Sequence, residues 1–145
     1  MKPIEVKKVR QQAILPTYGS EYAAGADLYA CLDESVTILP GESAFIPTGL
    51  AMAIPNGYVG LIYARSGMAC KRGLAPANKV GVVDSDYRGE FMVVLFNHGS
   101  KPETVSHGER IAQLVITPIF TPGFVLTDSL SDTQRAENGF GSTGK

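Results

Sequence analysis

The sequence predicts an all-β fold with at most one short helix, and three observations carry that expectation. Gly and Pro are numerous and spread out, 16 and 9 among 145 residues. Each costs about 1 or 3 kcal/mol in a helix interior, so helices of ordinary length have almost nowhere to sit. The segments between them are short and rich in β-branched or aromatic residues, and turn signals bound them. Many short strands punctuated in this way read as an antiparallel sandwich or barrel.

In chain order, the expected strands are Ile4–Val9, the apolar stretch around Asp27, Val36–Leu39, Ala44–Ile46, Leu50–Ile54 and Tyr58–Tyr63, then Val80–Val83, Phe91–Phe96 and Ile111–Ile119. Pro40-Gly41, Pro55-Asn56-Gly57, His98-Gly99 and His107-Gly108 supply turns. Ser66–Arg72 departs from the pattern: it holds good helix formers, with Ser66 placed to cap and Gly73 placed to stop one or two helical turns. Residues 1–127 read as one domain. Residues 128–145 are polar and Gly-rich, which is the composition of a flexible tail. Fully extended, that tail reaches about 60 Å at ~3.3 Å per residue, far enough to touch a neighbouring subunit.

Composition excludes several classes of function. Hydrophobic residues make up 44% and charged ones 19%, which rules against a disordered chain. The net charge is −1, with no clustered basic face for nucleic acid. No apolar run approaches the ~20 residues of a membrane span. Cys31 and Cys70 lack a C-x-x-C partner, and with His98 and His107 they show no metal-ligand spacing. Free thiols in a reducing compartment, the cytoplasm, are the expectation.

The chemistry lies in a few polar groups. The last residues, Gly139 to Lys145, match the start of a phosphate-binding P-loop, but the following Ser or Thr and helix are missing, so a P-loop NTPase is rejected. Arg65-Ser66-Gly67 follows a strand and opens the short helix, where amides, a hydroxyl and a guanidinium suit a phosphate chain. The alternative there is a capped helix with a surface arginine. Asp84 and Asp86 sit in a turn after Val80–Val83, either activating water or bonding the turn backbone. Asp27 and Gln113 each interrupt an apolar strand; each is a satisfied structural group or a ligand contact. Arg135 in the tail reads by default as a solvated charge. Together these groups, on a β scaffold without an organic-cofactor motif, suit a Mg²⁺-bound nucleoside triphosphate.

In this arrangement the chain resembles the homotrimeric dUTPases. Five motifs of that family occur in order: AGADLYA at 24–30, ARSGMACK at 64–71, NKVGVVDSDYRGE at 78–90, GERIAQLV at 108–115 and RAENGFGSTG at 135–144. Ala64 stands where the family usually has Pro, and Ala136 and Asn138 replace glycines common after the tail arginine. The first would alter loop stiffness, the second tail closure. The resemblance implies a jelly-roll-type β-barrel, a homotrimer with three shared sites, and Mg²⁺-dependent hydrolysis of dUTP to dUMP and pyrophosphate. That reaction removes dUTP and supplies dUMP for dTMP synthesis. It further implies a nucleoside pocket from Asn78, Gly81, Val83 and Tyr87, with Asn78 reading uracil and Tyr87 packing on the deoxyribose. Asp84 would deprotonate the water that attacks the α-phosphorus. Arg65, Ser66, Gly67 and Gln113 would hold phosphates. Mg²⁺ would be held by phosphates and waters, with Asp27 in support and no direct protein ligand. From another subunit would come Arg135 on the γ-phosphate, Phe140 stacked on uracil, and Gly141 and Ser142 beside them. Two rivals remain at this stage: a dCTP deaminase, for which Asp86 or Glu90 would have to serve as acid/base, and a nucleotide-responsive regulator without catalysis.

Overall fold

A computed structural model describes residues 3–134, 136 and 137. The first half of the chain supplies β1 (Glu5–Lys8), β2 (Thr17–Tyr18), β3 (Ala26–Tyr29), β4 (Val36–Ile38), β5 (Ser43–Pro47), β6 (Leu50–Ala53) and β7 (Tyr58–Tyr63). Then follow α1 (Ser66–Arg72), β8 (Leu74–Pro76), β9 (Gly81–Val83), β10 (Met92–Asn97), β11 (Glu103–Val105) and β12 (Arg110–Pro118). The all-β expectation with one short helix holds among the described residues.

The expected closed barrel does not. The strands form open sheets, in the orders β2-β3-β12-β7-β9, β5-β10-β8, β1-β6 and β4-β11, packed around one core. Eight described strands pair along one edge only, so no sheet closes into the ring that a barrel demands. Three strands escape sequence reasoning: β2, β8 and β11. Two or three residues show no alternation, and Pro76 ends β8 with a residue that normally argues against a strand. Pairing decides them instead, β8 on β10 and β11 on β4.

The core is aliphatic. Leu28, Ile38, Ile46, Leu50, Leu74, Leu95 and Ile111 are fully buried, with Phe91 and Val93 beside them. Each such side chain contributes about 1.5–3 kcal/mol through loss of water contact. Asn97 is buried among them at no cost in unpaired groups. Its Nδ2 donates to the Ile38 and Lys101 carbonyls, and its Oδ1 accepts from the Gly99 amide.

The helix runs over the expected residues, but its start differs from expectation. Arg65, not Ser66, occupies the N-cap position, and no side chain bonds the first-turn amides. Ser66 falls one residue too late to cap, since Arg65 holds the extended conformation of the N-cap and Ser66 is already the first helical residue. Gly73 ends the helix in the left-handed conformation at φ 67°.

The last strand ends at Pro118, and residues 119–134 carry no strand or helix and are exposed. Five large apolar side chains stand out along this segment: Phe120, Phe124, Val125, Leu126 and Leu130, each at least 86% exposed. Cys31 is buried and Cys70 exposed, and both are free thiols. Burial pushes the Cys31 thiol up from its ordinary range. No described helix is long and apolar enough to cross a membrane.

Candidate functional site

Strand register assembles the first part of the site. In the five-stranded sheet Thr17, Asp27, Gln113 and Tyr63 lie opposite one another across four strands. Side chains directly opposite share a face, so Asp27 and Gln113 project together, away from the core side defined by Leu28, Ala112 and Leu114. Arg110 is three residues before Gln113 and would ordinarily point to the other face. A register shift between Arg110 and Ala112 reverses it, placing Arg110 opposite Tyr29 and beside Asp27.

Asp27 is buried, and two guanidiniums answer its charge. Arg65 Nε donates to Oδ1 at 2.6 Å and Arg110 Nη1 to Oδ2 at 3.3 Å. Ionised carboxylates are stable away from water when paired and hydrogen-bonded in this way. Gln113 Nε2 donates to the Ala64 carbonyl at 2.8 Å, the residue just before Arg65. Its amide thus acts as a strut under the loop, and it restrains Ala64 where a proline ring is absent. Gly25 makes the strut possible: a Cβ there would come within 2.6 Å of Gln113 Oε1 and 3.2 Å of its Cβ.

The other end of α1 is tied down by Arg72. Its guanidinium donates to Glu103 Oε2 and Glu109 Oε2, both at 2.7 Å, and to the Thr104 carbonyl at 2.6 Å. Partial burial works against the charge, but the hydrogen bonds from Glu103 and Glu109 outweigh it and raise Arg72 above its ordinary range. A cleft of about 430 Å³ opens between these anchors, lined by Tyr29, Arg65, Gly67, Arg72, Glu109 and Arg110 among others. Arg65, Arg72 and Arg110 all reach this cleft, their charge met by Asp27, Glu103 and Glu109.

The second part of the site surrounds the turn after β9. Asp84 is exposed there, and the turn is knotted by its own polar groups. The Tyr87 amide donates to the Asp84 carbonyl, and Arg88 Nη1 donates to the carbonyls of Ser85 and Tyr87 at 2.7 and 2.8 Å. A pocket of about 210 Å³ is lined by Ile62, Val83, Asp84, Tyr87 and Phe91 among others. Asn78 precedes this turn, and its Nδ2 lies 3.6 Å from where a Gly81 Cβ would stand. Lys79 between them holds φ 65°, a left-handed conformation that costs a non-glycine residue about 1–3 kcal/mol and is concentrated at functional loops. Glu90 does not face the pocket as a free acid. Its Oε1 accepts from Arg10 Nε and from the Gly49 amide, each at 2.8 Å.

These two parts are not adjacent in one chain. Gly60 pairs with Val83, so Asp84 lies just beyond that pair, while Arg65 lies two residues past the opposite end of β7. Six residues of extended chain separate the two positions, roughly 20 Å at ~3.3 Å per residue. The structure therefore brings together Asp27, Arg65, Ser66, Gly67 and Gln113, and separately Asn78, Gly81, Val83, Asp84 and Tyr87. Arg135, Phe140, Gly141 and Ser142 lie outside the described residues. Sequence reasoning missed Arg110, Arg72 and the Gln113 seat at Gly25. Arg110 meets Asp27 across 83 residues through a bulge, a signal that only pairing can reveal.

Comparison with known proteins points one way. Residues 11–144 match the family model described as dUTPase. The deoxyuridine 5'-triphosphate nucleotidohydrolase of Syntrophotalea carbinolica is 47% identical over 97% of this chain and 96% of its own length. The protein of that name from Desulfitobacterium hafniense is 54% identical over 90% and 87%. Among solved structures, the dUTPase of Staphylococcus bacteriophage 80alpha with dUpNHpp superposes with a TM-score of 0.87 at 31% identity, covering both chains fully. A mutant dUTPase from phage phi11 of S. aureus, described with a coordinated structural Mg(II) ion, gives 0.78 at 27% identity, covering 88% of this chain and 98% of that one.

Proposed function

Because this chain belongs to the dUTPase family, we propose that it hydrolyses dUTP to dUMP and pyrophosphate by attack of water on the α-phosphorus. Asp84 takes the proton from that water. The new bond joins the water oxygen to the α-phosphorus, and the bond from that phosphorus to the α,β-bridging oxygen breaks, releasing pyrophosphate. Arg65, the Ser66 and Gly67 backbone and Gln113 hold the phosphates. Tyr87 packs on the deoxyribose and Asn78 reads the uracil edge, with Gly81 and Val83 completing the wall. Removal of dUTP and supply of dUMP for dTMP synthesis follow from the products. The observation that carries the reading is the register-built cluster of Asp27, Arg65, Arg110 and Gln113 beside the first turn of α1.

Magnesium fits this donor set as a passenger on the triphosphate. Both oxygens of Asp27 are engaged by guanidiniums, so the carboxylate is suited to bonding the ion's waters rather than the ion. When bound, Mg²⁺ would draw charge from the phosphate oxygens and ease departure of pyrophosphate.

We further propose a homotrimer whose sites are shared between copies. The separation of Asp84 from Arg65 favours it, since neither part alone holds both base and phosphate groups. The exposed apolar row from Phe120 to Leu130 favours it too, because such patches call for a partner surface. The tail of another copy supplies Arg135 to the γ-phosphate and Phe140, Gly141 and Ser142 around the uracil. The nested antiparallel pairs β3–β12, β4–β11 and β5–β10 support a jelly-roll arrangement, a long hairpin rolled on itself. Two free thiols suit the cytoplasm. Of the two acids a deaminase would call on, Glu90 is committed to Arg10 and Gly49, which leaves Asp86 alone for that role.

The test is pyrophosphate release from dUTP, dTTP, dCTP and UTP, with Mg²⁺ and with chelator. Fast Mg²⁺-dependent release from dUTP alone is expected. Ammonia from dCTP, or no release from any nucleotide, would contradict the reading. Truncation after Gln134 is expected to lower turnover at least about tenfold while leaving the thermal midpoint in place, because the lost residues exclude water from the phosphates and not from the core. Unchanged turnover would remove the tail from the mechanism.

A further inference from the structure

Tyr87 does not stand over the pocket by its own rotamer preference alone. Three contacts seat it. Its hydroxyl donates to the Glu90 carbonyl at 3.1 Å. Its ring lies 6.0 Å from that of Phe91 at an interplanar angle of 37°, and Phe91 is buried and fixed. Its outer edge lies on Gly89: a Cβ there would meet the hydroxyl oxygen in an impossible overlap, Cζ at 2.6 Å and Cε2 at 3.0 Å. Glu90 is anchored in turn by Arg10 and the Gly49 amide, so the carbonyl that receives the tyrosine hydroxyl belongs to a fixed residue.

The geometry points to Gly89 as a specificity-determining position, one that acts by letting the Tyr87 ring lie against the backbone. The inference rests on the reading of Tyr87 as the surface that packs on deoxyribose. With the ring seated, a ribose 2′-hydroxyl meets the tyrosine. A methyl group at position 89 displaces the far end of the ring, and Tyr87 as a residue is 45% exposed, so the side chain has solvent to move into. The displacement is therefore inexpensive for the fold and consequential for the sugar. Glycine is not demanded here by backbone conformation, since Gly89 has no positive φ. Space for the tyrosine is the reason for it.

The experiment compares kcat/KM for dUTP and UTP in the native chain and in Gly89→Ala, Tyr87→Ala and Tyr87→Phe. Thermal midpoints are measured alongside. Gly89→Ala is expected to keep its midpoint and to narrow the dUTP-over-UTP ratio at least about tenfold, within the range that a shape-based pocket commands. Tyr87→Phe keeps the ring, loses the tether to Glu90, and leaves the glycine untouched. Its ratio is expected to fall between those of the native chain and Tyr87→Ala. A Tyr87→Ala protein with the native ratio would overturn the reading of Tyr87, and the inference with it. If Tyr87→Ala loses discrimination while Gly89→Ala and Tyr87→Phe both retain it, the reading stands and the inference alone is overturned. Should Gly89→Ala fail to fold, the double variant Gly89→Ala with Tyr87→Ala decides: recovery of its thermal midpoint supports space for the tyrosine as the reason for glycine, and failure of both overturns it.

Discussion

Asp84→Asn is expected to lower the rate of pyrophosphate release from dUTP by about 10²–10⁴-fold, the usual contribution of a positioned general base. Asparagine has nearly the same shape and still hydrogen-bonds a water, but it cannot take the proton. The loss should therefore appear in kcat, with binding of a non-hydrolysable dUTP analogue little changed. Folding should be unaffected, because Asp84 is exposed and the turn around it is held by backbone amides and Arg88. A surface substitution of this kind stays within about 0.5 kcal/mol. Single-turnover kinetics with the analogue as a binding control separate these quantities. A variant that releases pyrophosphate at the native rate would remove Asp84 from the chemistry.

Arg65→Ala is the second large effect. Arg65 is positioned by two neighbours: Asp27 grips its guanidinium, and Gln113 braces the carbonyl just before it. Its loss takes a cation from the developing charge on the phosphates, worth about 10²–10³-fold in kcat by analogy with removal of a transition-state donor. Unlike Asp84→Asn, it also disturbs the resting protein. Asp27 is left with only the longer contact to Arg110, so a buried carboxylate loses its closer partner. Lower thermal stability is expected together with a raised KM. Arg65→Lys should restore the charge without the planar fork and recover only part of the activity. Native kinetics in Arg65→Ala would sever α1 from substrate binding.

The all-β class was legible because Gly, Pro and short β-branched segments constrain every stretch of this chain. The helix at Ser66–Arg72 was legible for the same reason, as the single exception. Its cap was not, because a one-residue difference in where the helix starts makes Arg65 rather than Ser66 the N-cap, and residue type alone does not fix that boundary. Asp27 and Gln113 stood out as polar groups in apolar strands, yet only register shows that they oppose one another. Arg110 carried no signal at all: a bulge turns it to Asp27, and a bulge leaves no mark in periodicity. The short strands β2, β8 and β11 exist through their partners rather than through their own pattern. The closed barrel was an expectation carried by resemblance, and the described strands pair into four open sheets instead.

The central claim is that one dUTP site draws its base and its phosphate-binding arginine from different copies of the chain. Co-assembly of Asp84→Asn with Arg65→Ala tests it most directly. Each variant alone is expected to be nearly inactive. In a random one-to-one mixture, about a quarter of the sites would combine a native Asp84 from one copy with a native Arg65 from another, and activity should rise to that fraction. If both residues of each site came from a single chain, no mixed assembly would contain an intact site. Activity that stays at the level of the two variants would contradict the account.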